Sequence, residues 1–188
     1  MTHVGVVGRR ASGKGTVAEY LKQAYGFDHI MTSDVLFEEA VKLGWMQPNE
    51  RADRKKLQDA GFNLKKQFGQ DVFSQLVMKK MQPGRKYVIE GTRGILEQKT
   101  YFDVLGKEYA CIGVEAPQRL RYERLVGRGQ GWTWEEFLKT EEHPIETVID
   151  DLMKNVNYRI ENTGSRKDLT AKVDDVMKEL GITRSSPG

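Results

Sequence analysis

The stretch Gly8-Arg9-Arg10-Ala11-Ser12-Gly13-Lys14-Gly15-Thr16 decides how this chain is read. It follows the apolar run His3-Val4-Gly5-Val6-Val7 and precedes Val17-Ala18-Glu19-Tyr20-Leu21, whose apolar spacing is helical. A strand that breaks into a glycine-rich loop ending in lysine and threonine, and then becomes a helix, is the context in which G-x-x-x-x-G-K-x-T binds phosphate. Glycines let the backbone curl closely around an anion, and the free amides at the helix start point into it. Gly8, Ala11, Ser12, Gly13 and Gly15 are therefore expected to cradle the phosphates of a nucleotide. Lys14 is expected to reach the outer phosphates, and Thr16 to place a hydroxyl on Mg2+. A plain glycine turn before an ordinary helix leaves the neighbouring lysine and threonine unexplained.

Outward from this loop, short apolar runs alternate with helical patterns. The first helix is expected over 14–24. A second strand, 27–31, runs into Thr32-Ser33-Asp34, where Thr32 or Ser33 caps a helix over 35–43. A long helical region over 51–81, interrupted at Gly61 and Gly69, carries an apolar face that includes Leu57, Phe62, Leu64, Phe68, Phe73 and Val77. Tyr87-Val88-Ile89 is a third strand ending at Glu90-Gly91. Tyr109-Ala110-Cys111-Ile112-Gly113-Val114 is a fourth, ending at Glu115, after which Pro117 opens a helix to about 126. Thr133 and Glu136 form a capping box. Helices over 145–154 and 169–180 flank a last strand at 156–160. The alternation predicts an α/β fold: a central parallel sheet covered by helices on both faces, with the ligand at the carboxyl ends of the strands. One domain is expected over 1–182, with substrate-side helices at about 35–82 and a lid at about 124–134. A flexible tail without packing signal is expected over 183–188.

The 188 residues are enough for a sizeable core. No apolar run reaches membrane length and the first residues lack a signal peptide's apolar core, so a cytoplasmic protein with no membrane partner is expected. Cys111 is the only cysteine, so no internal disulfide forms, and its strand context reads as a core thiol. A net charge of +3 is too small to indicate a nucleic-acid partner, and no long basic stripe is present.

With these pieces in place, the chain resembles the nucleoside-monophosphate kinase branch of the P-loop NTPase fold. Gly13-Lys14-Gly15-Thr16 is similar to the loop of adenylate kinases. The remainder looks more like dephospho-coenzyme A kinases, and most like archaeal adenylate-kinase-related proteins. The resemblance rests on residues 29–35, on Val88-Ile89-Glu90-Gly91-Thr92-Arg93, on the segment 121–129, on Trp134-Glu135-Glu136-Phe137 and on residues 157–162. It implies a three-layer fold with a helical substrate-side insertion and a short arginine-rich lid. Phe37 and Glu38 stand near where adenylate kinases carry an arginine, which weakens adenylate as the acceptor. The lid has no cysteine cluster and should hold no zinc.

Asp34, at the tip of the second strand, is the candidate acceptor-side carboxylate: it would hold the attacking hydroxyl or a magnesium-bound water, if it is not merely a cap. Glu90 stands where P-loop proteins place an acid near the metal. The expected metal set is thus Thr16, Asp34 and Glu90, and Asp34 and Glu90 double as substrate contacts. Arg93 is expected on an acceptor phosphate or another acidic group, with a surface arginine at a helix start as the plainer account. Arg121, Arg124 and Arg128 are spaced three and four apart, so they share a helix face. Arg124 and Arg128 are expected to close over the transferring phosphate, with Arg121 binding substrate; a solvated face paired to Glu123 and Glu135 is the plainer account. Trp132 and Trp134 read as helix anchors more readily than as base-stacking platforms.

The leading expectation is a phosphotransferase using ATP, with GTP not excluded, and Mg2+, acting on a nucleoside monophosphate or related small metabolite. A kinase acting on a hydroxyl in DNA or RNA is a second reading, and a regulatory ATPase a third. The chain is expected to be a monomer or a homodimer.

Overall fold

Five strands form one sheet in the order β2-β3-β1-β4-β5, with β1 at His3–Val7, β2 at Asp28–Met31, β3 at Tyr87–Glu90, β4 at Tyr109–Glu115 and β5 at Tyr158–Glu161. Every pairing is parallel, and Val4 lies opposite Val88 on one side and Ala110 on the other. All of β1 is buried, as a continuous apolar run in a central strand requires. The computed structural model describes residues 2–129 and 131–185.

Parallel strands need crossovers, and helices supply them: α1 (Lys14–Tyr25), α2 (Thr32–Lys42), α3 (Arg54–Phe68), α4 (Val72–Lys80), α5 (Ile95–Leu105), α6 (Gln118–Val126), α7 (Trp134–Glu141), α8 (Pro144–Lys154) and α9 (Arg166–Glu179). Alternate strand residues serve opposite faces. Val4, Val6, Val88 and Ile112 meet Leu21 of α1 and Val173 of α9. Val7, Ile89 and Cys111 meet Tyr101 of α5 and Leu152 of α8. The result is the three-layer α/β P-loop fold. Burial raises the Cys111 thiol to about 11, consistent with a core residue.

Several elements differ from expectation. In the region 51–81, α3 runs through Gly61 without a break, while the expected interruption at Gly69, whose φ of 105° only glycine adopts readily, separates it from α4. The helix after β2 starts at Thr32 itself, with Met31 at its N-cap and no side-chain cap. Helix α5 matches no expected element. Its first turn exposes Ile95 and Leu96 and buries Glu97 and Gln98, the reverse of an ordinary amphipathic pattern. The start of the tail is anchored: Arg184 donates to Asp174 and Tyr20, and the Ser185 amide donates to the Ala24 carbonyl. Residues 186–188 of the expected tail, and residue 130 of the expected lid, lie outside the described residues.

Candidate active site

The carboxyl edge of the sheet is where β1, β2, β3 and β4 release their loops, and the phosphate loop occupies its centre. Gly13 has φ 111° and forms the N-cap of α1; a side chain there would strike the Asn162 amide. Ala11 is the one non-glycine residue with positive φ among those described, at 59°. The loop is held from outside by its carbonyls. Arg9 O accepts from the Ser12 amide at 3.2 Å and from Lys14 Nζ at 3.4 Å. Arg10 O accepts from Arg121 at 3.3 Å, and Ala11 O and Ser12 O from Arg124 at 3.4 Å. Ser12 O also accepts from Asn162 Nδ2 at 2.7 Å. The first amides of α1, which have no partner within the helix, are left available to an anion.

Three cavities border this loop: one of about 380 Å3, lined by Gly8, Arg9, Ser12 and Arg121 among others, and two that share lining residues with each other. The smaller of these two, about 370 Å3, is lined by loop residues Ala11, Gly13, Lys14, Gly15 and Thr16, with Glu90 and Arg128. The larger, about 710 Å3, extends under α2 and α3 and reaches Arg10, Arg93, Lys65 and Glu97. Lys14, Glu90 and Arg128 line both. Burial pushes the Lys14 ammonium down to about 8, and the nearby charge of Arg93 adds to the shift while Glu90 opposes it. An ammonium held below its ordinary value gains most from a phosphate placed beside it.

Glu90 ends β3, is buried, and lies 3.1 Å from His29 Nε2. Gly15 passes close above it: a Cβ at that position would sit 3.6 Å from Glu90 Oε1. Glu90 and Thr16 thus line one cavity beside the phosphate loop. One carboxylate and one hydroxyl suit a magnesium ion that keeps several waters and takes its other ligands from phosphate. Among the described residues there is no cluster of three or more His, Cys, Asp or Glu side chains able to hold a metal alone.

The three arginines expected on one lid face have three different surroundings. Arg121 is buried against Glu141, which accepts from both of its terminal nitrogens, and Arg121 also donates to the Ala116 and Arg10 carbonyls. It braces the loop and lines the cavity beside Gly8, Arg9 and Ser12, but neither of the two that share Lys14. Arg124 donates to Ala11 O and Ser12 O, and to Asn162 O at 3.0 Å, so it too grips the loop from behind; burial lowers its pKa, with Arg128 adding repulsion. Arg128 alone of the three lines both cavities. Arg93 also lines the larger cavity, 3.7 Å from Glu146.

Asp34 lies elsewhere. It sits in the first turn of α2, paired with Arg51, and lines neither cavity, whereas Thr32 and Ser33 line the larger one. The structure therefore does not bring Asp34 together with Thr16 and Glu90. Trp134 stacks on Phe137 and meets Tyr122 edge-on, anchoring α7. Trp132 lines the larger cavity beneath the guanidinium of Arg10, 5.1 Å from its ring centre. Reading the sequence alone missed Lys65, Glu97, Glu141 and Glu146. Each acquires its surroundings from a distant segment; only the buried acid in the inverted first turn of α5 left a local trace.

The family model described as AAA domain matches residues 4–142. A UPF0200 protein of Aeropyrum pernix is 32% identical over 88% of this chain and 87% of its own length. The chain belongs to this P-loop family. A UPF0200 protein of Thermococcus gammatolerans is 26% identical, covering 95% of this chain and 96% of that protein. The chain spans 56% of a longer Archaeoglobus fulgidus relative described as UPF0200/UPF0201. Among solved structures, TT1252 from Thermus thermophilus aligns with a TM-score of 0.66 at 21% identity, covering 95% of this chain and 97% of that one. The shikimate kinase of Acinetobacter baumannii aligns with a TM-score of 0.61 at 17% identity, covering 95% and 94%. The gluconokinase of Sinorhizobium meliloti aligns at 0.60 and 13%, covering 96% and 95%. The fold is that of P-loop kinases, and it is a nucleotide-binding fold. Among the described residues no helix is long and apolar enough to cross a membrane.

Proposed function

We propose that this chain is a phosphotransferase that moves the γ-phosphoryl group of ATP, with Mg2+, to a nucleoside monophosphate or a related small nucleotide-like metabolite. The observation that carries this reading is the meeting of two cavities at Lys14, Glu90 and Arg128. A hydrolase or switch needs only the smaller one. A second, larger chamber opening onto the same lysine and arginine gives an acceptor a place beside the phosphate loop.

In this reading the amides at the start of α1 and Lys14 bind the donor's outer phosphates. Arg128 faces the group in transit and neutralises charge that spreads over its oxygens. Thr16 and Glu90 would hold magnesium, directly or through water, and the bound ion would neutralise donor phosphate charge. Arg93 orients the acceptor. Asp34 is left with a supporting role through Arg51. The reading includes a cytoplasmic setting, and a small-molecule acceptor accords with the modest net charge and the size of the chamber.

The deciding experiment is a parallel transfer screen with labelled ATP against nucleosides, nucleoside monophosphates, dephospho-coenzyme A, and single- and double-stranded DNA and RNA. A phosphorylated small molecule is the expected product. Label appearing only in polymer would replace this reading with a nucleic-acid kinase, and ATP hydrolysis without any labelled acceptor would replace it with a regulatory ATPase.

A further inference from the structure

The larger cavity has a charged pair on the wall contributed by α3 and α5, made by residues that belong to no recognised motif. Lys65 Nζ lies 2.6 Å from Glu97 Oε1. Glu97 is 1% exposed, while the Lys65 side chain keeps 21% of its surface open. The other oxygen of Glu97 accepts the Arg93 amide at 3.2 Å. The ammonium also stands 5.4 Å from the ring centre of Phe73.

This arrangement is poorly suited to stability alone. Burying a carboxylate is costly, and an apolar pair of the same shape commonly serves a core as well or better. An ammonium carries three donors, and Glu97 faces one side of it as an ion pair without an aligned hydrogen bond. Phe73 closes another side, which leaves the remaining donor capacity toward the cavity that Lys65 lines. The balance of the chamber agrees: its lining includes five cationic residues, Arg10, Lys14, Lys65, Arg93 and Arg128, against the three carboxylates Glu90, Glu97 and Glu146. At the floor, Thr32 is buried with its hydroxyl unpartnered, so the chamber also holds a polar group awaiting a hydrogen bond. Above the ammonium the wall turns apolar, through Leu36, Leu57, Phe62 and Phe73.

The geometry points to Lys65 as an anion receptor of the acceptor chamber, with Glu97 as its positioning residue. The acceptor then enters already carrying a phosphate, which Lys65 and Arg93 grip from the wall. Its less polar body rests on the α2–α4 side. Glu97 ties the two cations to one point, since it holds the ammonium of one and the backbone amide of the other. A neutral nucleoside lacks the group for which this corner is charged. This inference rests on the phosphotransferase reading and narrows its acceptor to phosphate-bearing molecules.

The test is calorimetric titration of the chain saturated with ADP and magnesium, using nucleoside 5′-monophosphates, dephospho-coenzyme A and the matching nucleosides as probes. At least one phosphate-bearing probe should bind about tenfold or more tightly than its neutral counterpart, the range expected of charge-assisted hydrogen bonds. Lys65→Met should remove most of that preference and leave ADP affinity unchanged. Lys65→Arg should retain part of it. Lys65→Met combined with Glu97→Gln leaves no unpaired charge in the wall, and should show the same loss even if the single variant folds poorly. Equal binding of phosphate-bearing and neutral probes, or wild-type binding by the double variant, would overturn the receptor and leave the kinase reading standing. Binding of ADP with no binding of any probe would overturn the small-acceptor reading itself, and this inference with it.

Discussion

The phosphate loop and the acceptor-side wall of α2–α5 border the same chamber, yet they are built in opposite ways. The loop is one contiguous run, residues 8–16, and its work is done by backbone amides that its own glycines and the start of α1 arrange. The wall brings α3 and α5 together, and its working groups are side chains such as Lys65 and Glu97 that meet only after folding. A site made of backbone tolerates changes around it so long as φ and ψ are kept. A site made of paired side chains depends on each partner. The outer supports of the loop, Arg121, Arg124 and Asn162, follow the second logic: distant residues hold carbonyls in place so that a local motif keeps its shape.

The largest effect should come from the loop's lysine. Lys14→Ala is expected to lower turnover by roughly a thousandfold or more while the circular dichroism spectrum stays unchanged. Near-normal turnover in purified mutant would show that the backbone alone does the work. The same lysine sets a pH dependence. Its folded value of about 8 lies below the ordinary 10.5, so between those limits the unfolded chain holds more protons than the folded one. Stability should therefore rise with pH across that window, and the cost should be present in full below pH 8. Bound phosphate favours the charged form, so nucleotide binding should take up a proton above pH 8 and weaken by up to about tenfold per pH unit there. Calorimetry in buffers of different ionisation enthalpy measures that uptake, and Lys14→Met should abolish it.

A smaller effect separates the chamber from its scaffolding. Arg128→Ala should reduce turnover by about a hundredfold with little change in melting temperature. Arg124→Ala should instead destabilise by about 1–3 kcal/mol and weaken ATP binding, because Ala11 O, Ser12 O and Asn162 O lose a charged donor. Steady-state kinetics beside thermal melts tell the two apart. If Arg124→Ala cut turnover alone at unchanged stability, Arg124 would belong with the transferring phosphate and the contrast between lining and brace would collapse.

The smallest effect is expected at Asp34. Its pair with Arg51 is about half exposed, a setting in which ion pairs contribute about 1 kcal/mol or less. Asp34→Asn should leave turnover within about threefold of wild type once the acceptor is identified and saturating. A hundredfold fall would return Asp34 to the reacting groups.

How much of this was legible beforehand follows the same division. Val4 to Val7, the loop and α1 could be read directly, because a strand, a turn and a helix start each have a local chemical signature. Thr133 with Glu136 was readable for the same reason, and the box forms as expected. Helix α5 was not, because its first turn buries Glu97 and Gln98 and exposes Ile95 and Leu96. Periodicity reports a helix only when its apolar face is the one that packs. The spacing of Arg121, Arg124 and Arg128 suggested one shared helix face, but α6 ends at Val126, so Arg128 lies in the turn beyond it, and spacing does not reveal what lies opposite each cation.

The sequence by itself determined the parallel α/β sheet, the phosphate loop at its carboxyl edge and the identity of Lys14 and Thr16 within it. These depend on local backbone preferences and on apolar runs that have one good way to be buried. Only the tertiary structure decided that Arg121 braces the loop through Glu141, that Arg128 borders both chambers, that Asp34 turns to Arg51, and that Lys65 meets Glu97 on the acceptor wall. Those assignments depend on which charges meet across elements far apart in the chain, and the energy of a charged side chain is set by its neighbours in space and by its distance from water.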